Sequence, residues 1–196
     1  MENTKKWNCS TAKLQEILRG NEVLYSVIRG VSELGIAHSY IGAGCICQTV
    51  WNAQSSYDPM YGISDIDLVY FDETDISAQA EERVIRMIRE KFPQLRVPID
   101  VKNQARVHIW YQQRFGYEIS AYRSCEESIA TWPTTASAVG VRLNGSEFFV
   151  CAPFGLKDLF DRRICPNKKQ ITEEIYLRKC EEWRMRWPDL EIIPWE

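Results

Sequence analysis

Two aspartates separated by one residue are the part of the sequence best suited to chemistry. Asp65 and Asp67 open the segment Asp65–Phe71, whose Ile, Leu, Val and aromatic content predicts a strand. On a strand, side chains two residues apart point to the same face, with Cα atoms about 6.5–7 Å apart. Two carboxylates so placed repel each other, and a divalent cation that prefers oxygen ligands relieves the repulsion. The pair therefore indicates a metal site, with a solvated strand start as the alternative.

A third aspartate strengthens this interpretation. Asp100 lies near the end of a second predicted strand, Leu95–Val101. If the two strands are neighbours, the three acids converge on one side of a sheet. Such a triad can hold two metal ions, or one metal ion beside a general base, as in-line attack on an α-phosphate requires. The alternative is that Asp100 caps the next helix, a role for which Asn103 is better suited.

A glycine-containing turn precedes the aspartate pair. Gly42 and Gly44 follow a short predicted strand, His38–Ile41, and lead into a predicted helix. Backbone N–H groups at such a turn can approach phosphate oxygens closely, and the helix N-terminus adds partial positive charge. The two glycines and the amide of Cys45 are therefore candidate phosphate ligands, although a simple tight turn is the commoner role.

Basic residues follow the third aspartate. Lys102 and Arg106 could reach a triphosphate as counter-charges, or they could lie on a solvated helix face. His108, on the next predicted helix, is more typical of a packing residue than of a proton carrier. The two cations are therefore candidate nucleotide ligands.

Periodicity and capping residues predict the elements that must position these groups. Two helices are expected within 10–35, the first from Ser10 to Gly20 and the second capped by Asn21. A loop is expected over 54–64 and an amphipathic helix over 76–92. In the later part of the chain, Ser124 and Glu127 predict a capping box. The dipeptide Asn144-Gly145 predicts a hairpin of the strands 138–143 and 147–151. A last helix is expected after the cap Thr172, with an apolar face formed by Tyr176, Cys180, Trp183 and Trp187. This order of elements favours an α/β or α+β domain with a mixed sheet.

Composition and charge narrow the function classes. The chain has 196 residues, 45% of them hydrophobic, which is typical of one globular domain. Its formal net charge of -3 disfavours a long nucleic-acid substrate, because phosphate binding usually needs a basic face. No apolar run approaches the roughly 20 residues of a membrane helix. Seven cysteines without Cys-x-x-Cys spacing, and no recognisable signal peptide, predict reduced thiols in a cytoplasmic protein.

The order of these motifs resembles the nucleotidyltransferase superfamily that includes DNA polymerase β. The shared pattern is a glycine turn between strand and helix, then hydrophobic-Asp-hydrophobic-Asp, then a third acid on a later strand. A closer resemblance, to a group of small and largely uncharacterised proteins within that superfamily, covers nearly the whole chain. It rests on GISDIDLVYFD (62–72), VKNQARVHIWY (101–111), TTASAVGVRL (134–143) and APFGLKDLF (152–160).

The resemblance implies a fold, a reaction and a set of roles. The expected fold is an α+β, mixed-sheet polymerase-β-like core with helices added at both termini, in which 36–115 form the catalytic core and 116–196 a hairpin and helical extension. The expected reaction moves a nucleoside monophosphate from a nucleoside triphosphate to an acceptor hydroxyl and releases pyrophosphate. A small-molecule acceptor is favoured by the size and negative charge of the chain. The resemblance implies that the catalytic residues, which would also bind Mg²⁺ or Mn²⁺, are Asp65, Asp67 and Asp100. It implies that the nucleotide-binding residues are Gly42, Gly44, Cys45, Lys102 and Arg106.

Two features depart from the superfamily pattern. Cys45 follows Gly44 where a serine usually holds phosphate oxygens, and a thiol is a weaker hydrogen-bonding group. The interval from Gly44 to Asp65 is 21 residues, longer than usual, so we expect an extra loop near the site. The thiol supports an alternative hypothesis, a catalytically inactive relative that binds or senses a nucleotide. A phosphohydrolase is disfavoured because the chain has only two histidines.

Overall fold

A mixed five-stranded sheet forms the centre of the protein. The computed structural model describes the backbone of residues 2–196 and the side chains from Cys9 onward. The strands are β1 (Tyr40–Gly42), β2 (Ile66–Tyr70), β3 (Ile99–Asn103), β4 (Gly140–Asn144) and β5 (Glu147–Cys151). Their order is β3-β2-β1-β4-β5, in which β2 and β3 run parallel and each other neighbouring pair is antiparallel. The predicted mixed sheet is confirmed.

Helices surround this sheet. They are α1 (Glu2–Gly20), α2 (Glu22–Glu33), α3 (Gly44–Ser55), α4 (Ala78–Lys91), α5 (Val107–Phe115), α6 (Cys125–Ile129), α7 (Lys157–Phe160) and α8 (Glu173–Arg186). A 3-10 turn, Gln104–Arg106, leads into α5, and two short parallel strands, β6 (Arg163–Ile164) and β7 (Glu191–Ile192), form a second sheet. Between residues 2 and 196 there is no helix with the length and apolarity needed to cross a membrane.

The predicted helix caps are confirmed with one exception. Asn21 Oδ1 accepts a hydrogen bond from the Leu24 amide at 3.1 Å, and Thr172 caps α8 in the same way. Ser124 Oγ accepts from the amide of Glu127 at the start of α6. The expected start at Ser10 is wrong, because α1 begins at Glu2 and Ser10 lies inside it. The residues before Ser10 include neither Gly nor Pro, so no helix breaker separates them from the rest of the helix.

Strand boundaries differ from the prediction by a few residues. β2 begins at Ile66, so Asp65 lies just outside it. β3 begins at Ile99, later than the expected Leu95, because Pro98 has no N–H to donate to a strand ladder. The Pro98 carbonyl still accepts from the Ile66 amide at 2.9 Å. The parallel pair therefore starts directly beside the aspartates.

The predicted hairpin forms, with its turn displaced by one residue. Asn144 pairs with Glu147, so the two-residue loop is Gly145-Ser146. Gly145 has a φ of 59°, a conformation that glycine adopts without strain. The strand β4 also pairs with β1, so the hairpin belongs to the same sheet as the predicted core 36–115.

Tryptophans fix the C-terminal helix against the core. The Trp51 ring of α3 makes edge-on contacts with Trp183 and Trp187, at centroid distances of 5.1 and 5.5 Å. Trp187 Nε1 donates to Asn52 Oδ1 at 2.9 Å, so the buried indole N–H is satisfied. This packing sets the position of α8 relative to the sheet and, as described next, brings a lysine of α8 to the aspartates.

Candidate active site

Two aspartates lie side by side at the parallel pair of strands. Asp67 of β2 is in register with Asp100 of β3, and Gly42 of β1 lies opposite Asp67 on the other side. Side chains at paired positions of neighbouring strands share a face of the sheet, and both carboxylates line the same pocket. The structure thus brings together two of the three predicted metal ligands.

The third aspartate lies close to the pair but outside the pocket lining. Asp65 is exposed, precedes β2, and accepts a hydrogen bond from Ser64 Oγ at 2.8 Å. It does not line the pocket, although its charge acts on Asp67. Across the part of the chain that the structure describes, no three His, Cys, Asp or Glu side chains are grouped tightly enough to enclose a metal ion. The three carboxylates are therefore neighbours without forming a closed ligand set.

The electrostatic environment of Asp67 is unfavourable for a negative charge. Burial raises the pKa of its carboxyl to about 7, and the charges of Asp65 and Asp100 act in the same direction. The nearby ammonium groups of Lys179 and Lys102 lower this pKa, without offsetting the increase. Ionised Asp67 therefore lacks full compensation from the protein and would be stabilised by an added cation.

The donor chemistry at this position fits a hard divalent cation. Asp67 and Asp100 offer only carboxylate oxygens, the ligands that Mg²⁺ and Mn²⁺ prefer, and Asp65 adds a third carboxylate beside them. A soft metal would require thiolates, and the nearest candidate, Cys45, is buried with the pKa of its thiol raised by burial and by the charge of Asp67. The residues present therefore suit magnesium or manganese better than zinc.

The turn between β1 and α3 places its unusual backbone conformation at an alanine. Ala43 lines the pocket and has φ 58° and ψ -129°, which a residue with a Cβ rarely adopts. Gly42 is required for packing, because a Cβ there would approach the Trp132 ring to 2.6 Å. Gly44 has ordinary space around it. Gly42 thus allows Trp132, another residue that lines the pocket, to pack directly on β1.

The start of α3 presents backbone amides without a side-chain cap. No side chain caps the helix at Ala43. The Cys45 thiol is buried and donates to the Gly42 carbonyl at 3.1 Å, so it does not replace the serine hydroxyl of the superfamily pattern. The amides of Gly44 and Cys45, in the first turn of the helix, are the groups that an anion could use there.

The pocket that contains Asp67 and Asp100 has a volume of about 370 Å³ and combines aromatic, polar and basic side chains. Lys102 forms an ion pair with Asp100. Arg114 and Lys179 instead lie over aromatic rings, Arg114 over Phe115 at 5.4 Å and Lys179 over Trp183 at 4.7 Å. No described carboxylate lies within salt-bridge distance of either. Two cations thus remain available to a ligand.

Arg106, the other predicted nucleotide ligand, is engaged elsewhere. Its guanidinium donates to Glu81 Oε1 at 2.6 Å and to the Ile76 carbonyl at 3.1 Å. Both members of the ion pair are nearly buried, with side chains 13% and 11% exposed. Arg106 does not line the pocket, so its placement favours a structural role.

Gln104 and His108, both in the segment that follows β3, differ in whether they line the pocket. Gln104 lines the pocket and accepts a hydrogen bond from Ser128 Oγ at 2.5 Å. His108, four residues later, does not line the pocket. Its Nδ1 is buried and has no hydrogen-bond partner among the described residues, so the packing role stays a prediction.

Sequence reasoning missed Arg114 and Lys179 as pocket residues. Arg114 follows Val107 and Trp110 at helical spacing, so the face of α5 that carries it could have been found from its period. Lys179 comes from α8, 79 residues after Asp100, and no local pattern connects the two. Its position depends on the tryptophan packing of the C-terminal helix.

Comparisons with known proteins bear on the family and the fold of the chain. The model of a family described as "Nucleotidyltransferase" matches residues 29–192. The chain belongs to this nucleotidyltransferase family. The match begins within α2 and ends in β7, so it includes both aspartate-bearing strands and the hairpin of the nucleotidyltransferase. A search of the curated proteins finds no match.

A solved structure supports the fold of the nucleotidyltransferase. Its description states that the NMR structure reveals a CCA-adding enzyme head domain. The two chains superpose with a TM-score of 0.75 at 25% sequence identity, over 93% of this chain and 95% of the other. The superfamily resemblance and the α+β, mixed-sheet fold expected from the sequence are confirmed.

Proposed function

We propose that this nucleotidyltransferase moves a nucleoside monophosphate from a nucleoside triphosphate to an acceptor hydroxyl, with Mg²⁺ or Mn²⁺ as the cofactor. The observation that carries the proposal is the pairing of Asp67 with Asp100 in register on parallel strands, inside a pocket with two cations that lack carboxylate partners. The incompletely compensated charge of Asp67 suits a metal ion, and cations without carboxylate partners suit phosphates.

The metal ions, when bound, would activate the acceptor oxygen and stabilise the leaving pyrophosphate. Asp67 and Asp100 would hold them, with Asp65 as the third ligand. Asp100 would also take the proton of the acceptor hydroxyl. The hydroxyl oxygen forms a bond to the α-phosphorus while the bond from this phosphorus to the bridging oxygen breaks. Pyrophosphate leaves with that electron pair, so atoms and charge balance.

The remaining pocket residues would position the triphosphate. Neither Lys179 nor Arg114 has a described carboxylate within salt-bridge distance, so both can pair with phosphate oxygens. The amides of Gly44 and Cys45 would donate to the β- and γ-phosphates. The Trp110 ring, in the same pocket, offers a stacking surface for the base. In such chemistry the protein contributes mainly positioning and charge neutralisation.

One observation favours an inactive nucleotide-binding relative as the second candidate. The Cys45 thiol is directed to the Gly42 carbonyl, so the turn lacks a side-chain hydroxyl for phosphate at that position. Under this alternative, the nucleotide and its metal bind without turnover. The cluster of three carboxylates favours the enzyme, because a binding protein gains little from holding three acids together.

The reaction type is tested with triphosphates labelled at either the α- or the γ-phosphate, incubated with Mg²⁺ and a fractionated cell extract. We expect α-label in an acceptor and γ-label in pyrophosphate. Phosphoryl transfer would place the γ-label in the acceptor, and hydrolysis would leave the α-label in a free nucleotide. Metal-dependent binding without transfer would support the inactive relative and contradict the proposed reaction.

A further inference from the structure

The two edge strands of the sheet differ in how they are protected from pairing with another chain. One edge is β3, which follows Pro98 and carries the charged residues Asp100 and Lys102. Proline and charged side chains are common devices that keep an edge strand from pairing. The other edge is β5, which contains no proline or lysine and reads EFFVC from Glu147. Each of its five residues is at least partly exposed, so β5 is an apolar edge without these devices.

The register of the sheet shows which backbone groups of β5 point outward. The Ala43 amide donates to the Val139 carbonyl at 3.0 Å and continues the β1–β4 register, so Val139 and Val141 direct their N–H and C=O groups toward β1. In an antiparallel pair, residues opposite each other either exchange both hydrogen bonds or direct both sets of groups outward. Val150 lies opposite Val141, so its groups point away from β4, and those of Phe148 do the same.

These outward groups have no partner in the part of the chain that the structure describes. There, β4 is the only strand beside β5, and no other described backbone group bonds to Phe148 or Val150. The Phe149 side chain, on the opposite face of the strand, is not packed into either core cluster, and the Arg142 guanidinium lies 4.2 Å from its ring centre. Free N–H and C=O groups beside apolar side chains suit the addition of another strand.

We infer that β5 is a dimer interface, and that its partner is β5 of a second copy of this chain, antiparallel about a two-fold axis at Phe149. In this register Phe148 lies opposite Val150 of the second copy, so every outward N–H and C=O group of these two residues is paired. Glu147 lies opposite Cys151, so no like charges meet, and the two Phe149 rings face each other at the axis. The strand is therefore complementary to itself, as a two-fold interface requires.

Pairing through β5 leaves the proposed active site accessible. Asp100 lies on β3, at the opposite edge of the sheet, and no residue of β5 lines the pocket that contains it. The dimer would join two five-stranded sheets into one continuous sheet with a pocket toward each end. The association can therefore be tested separately from the transfer reaction.

The first experiment measures the mass of the full chain by sedimentation equilibrium under reducing conditions. Phe149→Glu places two carboxylates opposite each other across the axis, although within one chain the new carboxylate lies beside Arg142. The matched control is Phe154→Glu, because Phe154 is 37% exposed and has Lys169 over its ring at 5.6 Å but lies outside β5. Circular dichroism establishes that both variants are folded.

We expect a wild-type dimer whose dissociation constant rises at least about tenfold in Phe149→Glu and does not change in Phe154→Glu. A monomeric wild type would overturn the inference, because β5 would then be unpaired or reserved for a different protein. Equal dissociation constants of the wild type and folded Phe149→Glu, or equal weakening in both variants, would overturn it as well.

The second experiment tests the register. Glu147 and Cys151 of the second copy would form a pair without mutual hydrogen bonds, whose Cα atoms are about 4.5 Å apart, a separation that a disulfide can span. With copper phenanthroline as the oxidant, Glu147→Cys should give a cross-linked dimer, and Glu147→Cys/Cys151→Ser should not. A dimeric Glu147→Cys that fails to cross-link, or equal cross-linking of the double variant, would contradict the proposed pairing.

Discussion

Two groups of charged side chains lie beside the parallel strands β2 and β3, and the protein compensates their charges differently. Near the C-terminal end of β3, Glu81 accepts hydrogen bonds from Arg106 at 2.6 Å and from the Asn103 amide at 2.8 Å. Asp67 instead has two carboxylates as neighbours, and burial raises its pKa to about 7. The first group is neutralised within the protein, whereas the charge of ionised Asp67 is only partly compensated by Lys179 and Lys102 and would be stabilised by an added cation.

This difference separates a structural ion pair from a site for a ligand. A buried charge with a complete set of partners supports the fold, and removing one partner leaves an uncompensated charge. A buried charge without partners is a cost to the folded state that binding can remove. The predictions below test this distinction, beginning with the largest expected effect.

Arg106→Met should destabilise the protein by about 3 kcal/mol, because it leaves Glu81 charged and nearly buried. Urea unfolding measures this change, and the Glu81→Gln/Arg106→Met double variant should recover much of it. Calorimetry should show unchanged affinity for a Mg²⁺–triphosphate complex. If Arg106 instead contacts the triphosphate, the affinity of Arg106→Met for the Mg²⁺–triphosphate complex will fall while its free energy of unfolding changes little. That result would contradict the structural role assigned to the Arg106–Glu81 ion pair.

Asp67→Asn should lower the affinity for a non-hydrolysable triphosphate in the presence of Mg²⁺ by about a hundredfold, or about 2.7 kcal/mol. The reason is that the amide contributes no charge to hold the metal. Titration calorimetry checks this, with Asp189→Asn as the control, because Asp189 is exposed and does not line the pocket of Asp67 and Asp100. Equal loss in both variants would show a general effect of charge.

The incompletely compensated charge of Asp67 should also make the free energy of unfolding depend on pH. The folded-state pKa of Asp67, about 7, lies above its ordinary value of 3.8. Ionisation therefore destabilises the metal-free fold as pH rises from about 4, and the penalty is complete above pH 7. Metal-free Asp67→Asn should thus be more stable than the wild type at pH 8 by about 2 kcal/mol. This free energy is smaller than the whole pKa shift would give, because the Asp67 side chain is partly exposed and water screens its charge.

This advantage of Asp67→Asn should shrink as pH falls from 7 to 4, and Mg²⁺ with a triphosphate should reverse it. Thermal unfolding across that pH range provides the measurement. A difference that does not change with pH would contradict the raised pKa.

Ala43→Gly should stabilise the protein by about 1 kcal/mol, because glycine adopts the observed backbone conformation without strain. Ala53→Gly is the matched control, since Ala53 is exposed within α3 and should lose about 1 kcal/mol. Urea unfolding of both variants gives the comparison. Destabilisation by both substitutions would mean that the turn stores no strain.

The sequence predicted those parts of the site that depend on local pattern. Asp67 and Asp100 were identifiable because each carboxylate interrupts an apolar strand, and adjacent strands bring such positions together. Asn103 suits a helix cap better than Asp100 does, and its Oδ1 accepts from the Ala105 amide at 3.1 Å. The caps at Asn21 and Thr172 were predictable for the same reason.

The rest of the site depends on tertiary packing. Lys179 lies near enough to act on the pKa of Asp67 only because Trp51, Trp183 and Trp187 fix α8 against α3. The positive φ occurs at Ala43, although glycines on both sides would tolerate it better, and no residue type signals such a choice. From the sequence, Arg106 and Lys102 were equal candidates for a nucleotide ligand. The fold places Glu81, which is distant in the sequence, beside Arg106 as its ion-pair partner.

The most direct test of the central claim is the rate at which α-label moves from a Mg²⁺–triphosphate to the acceptor fraction, compared between the wild type, Asp67→Asn and Asp189→Asn. We predict that Asp67→Asn transfers at least about a thousandfold more slowly, while Asp189→Asn matches the wild type. Circular dichroism of all three proteins establishes that they are folded. Transfer by folded Asp67→Asn at the wild-type rate would contradict the claim that this aspartate is catalytic.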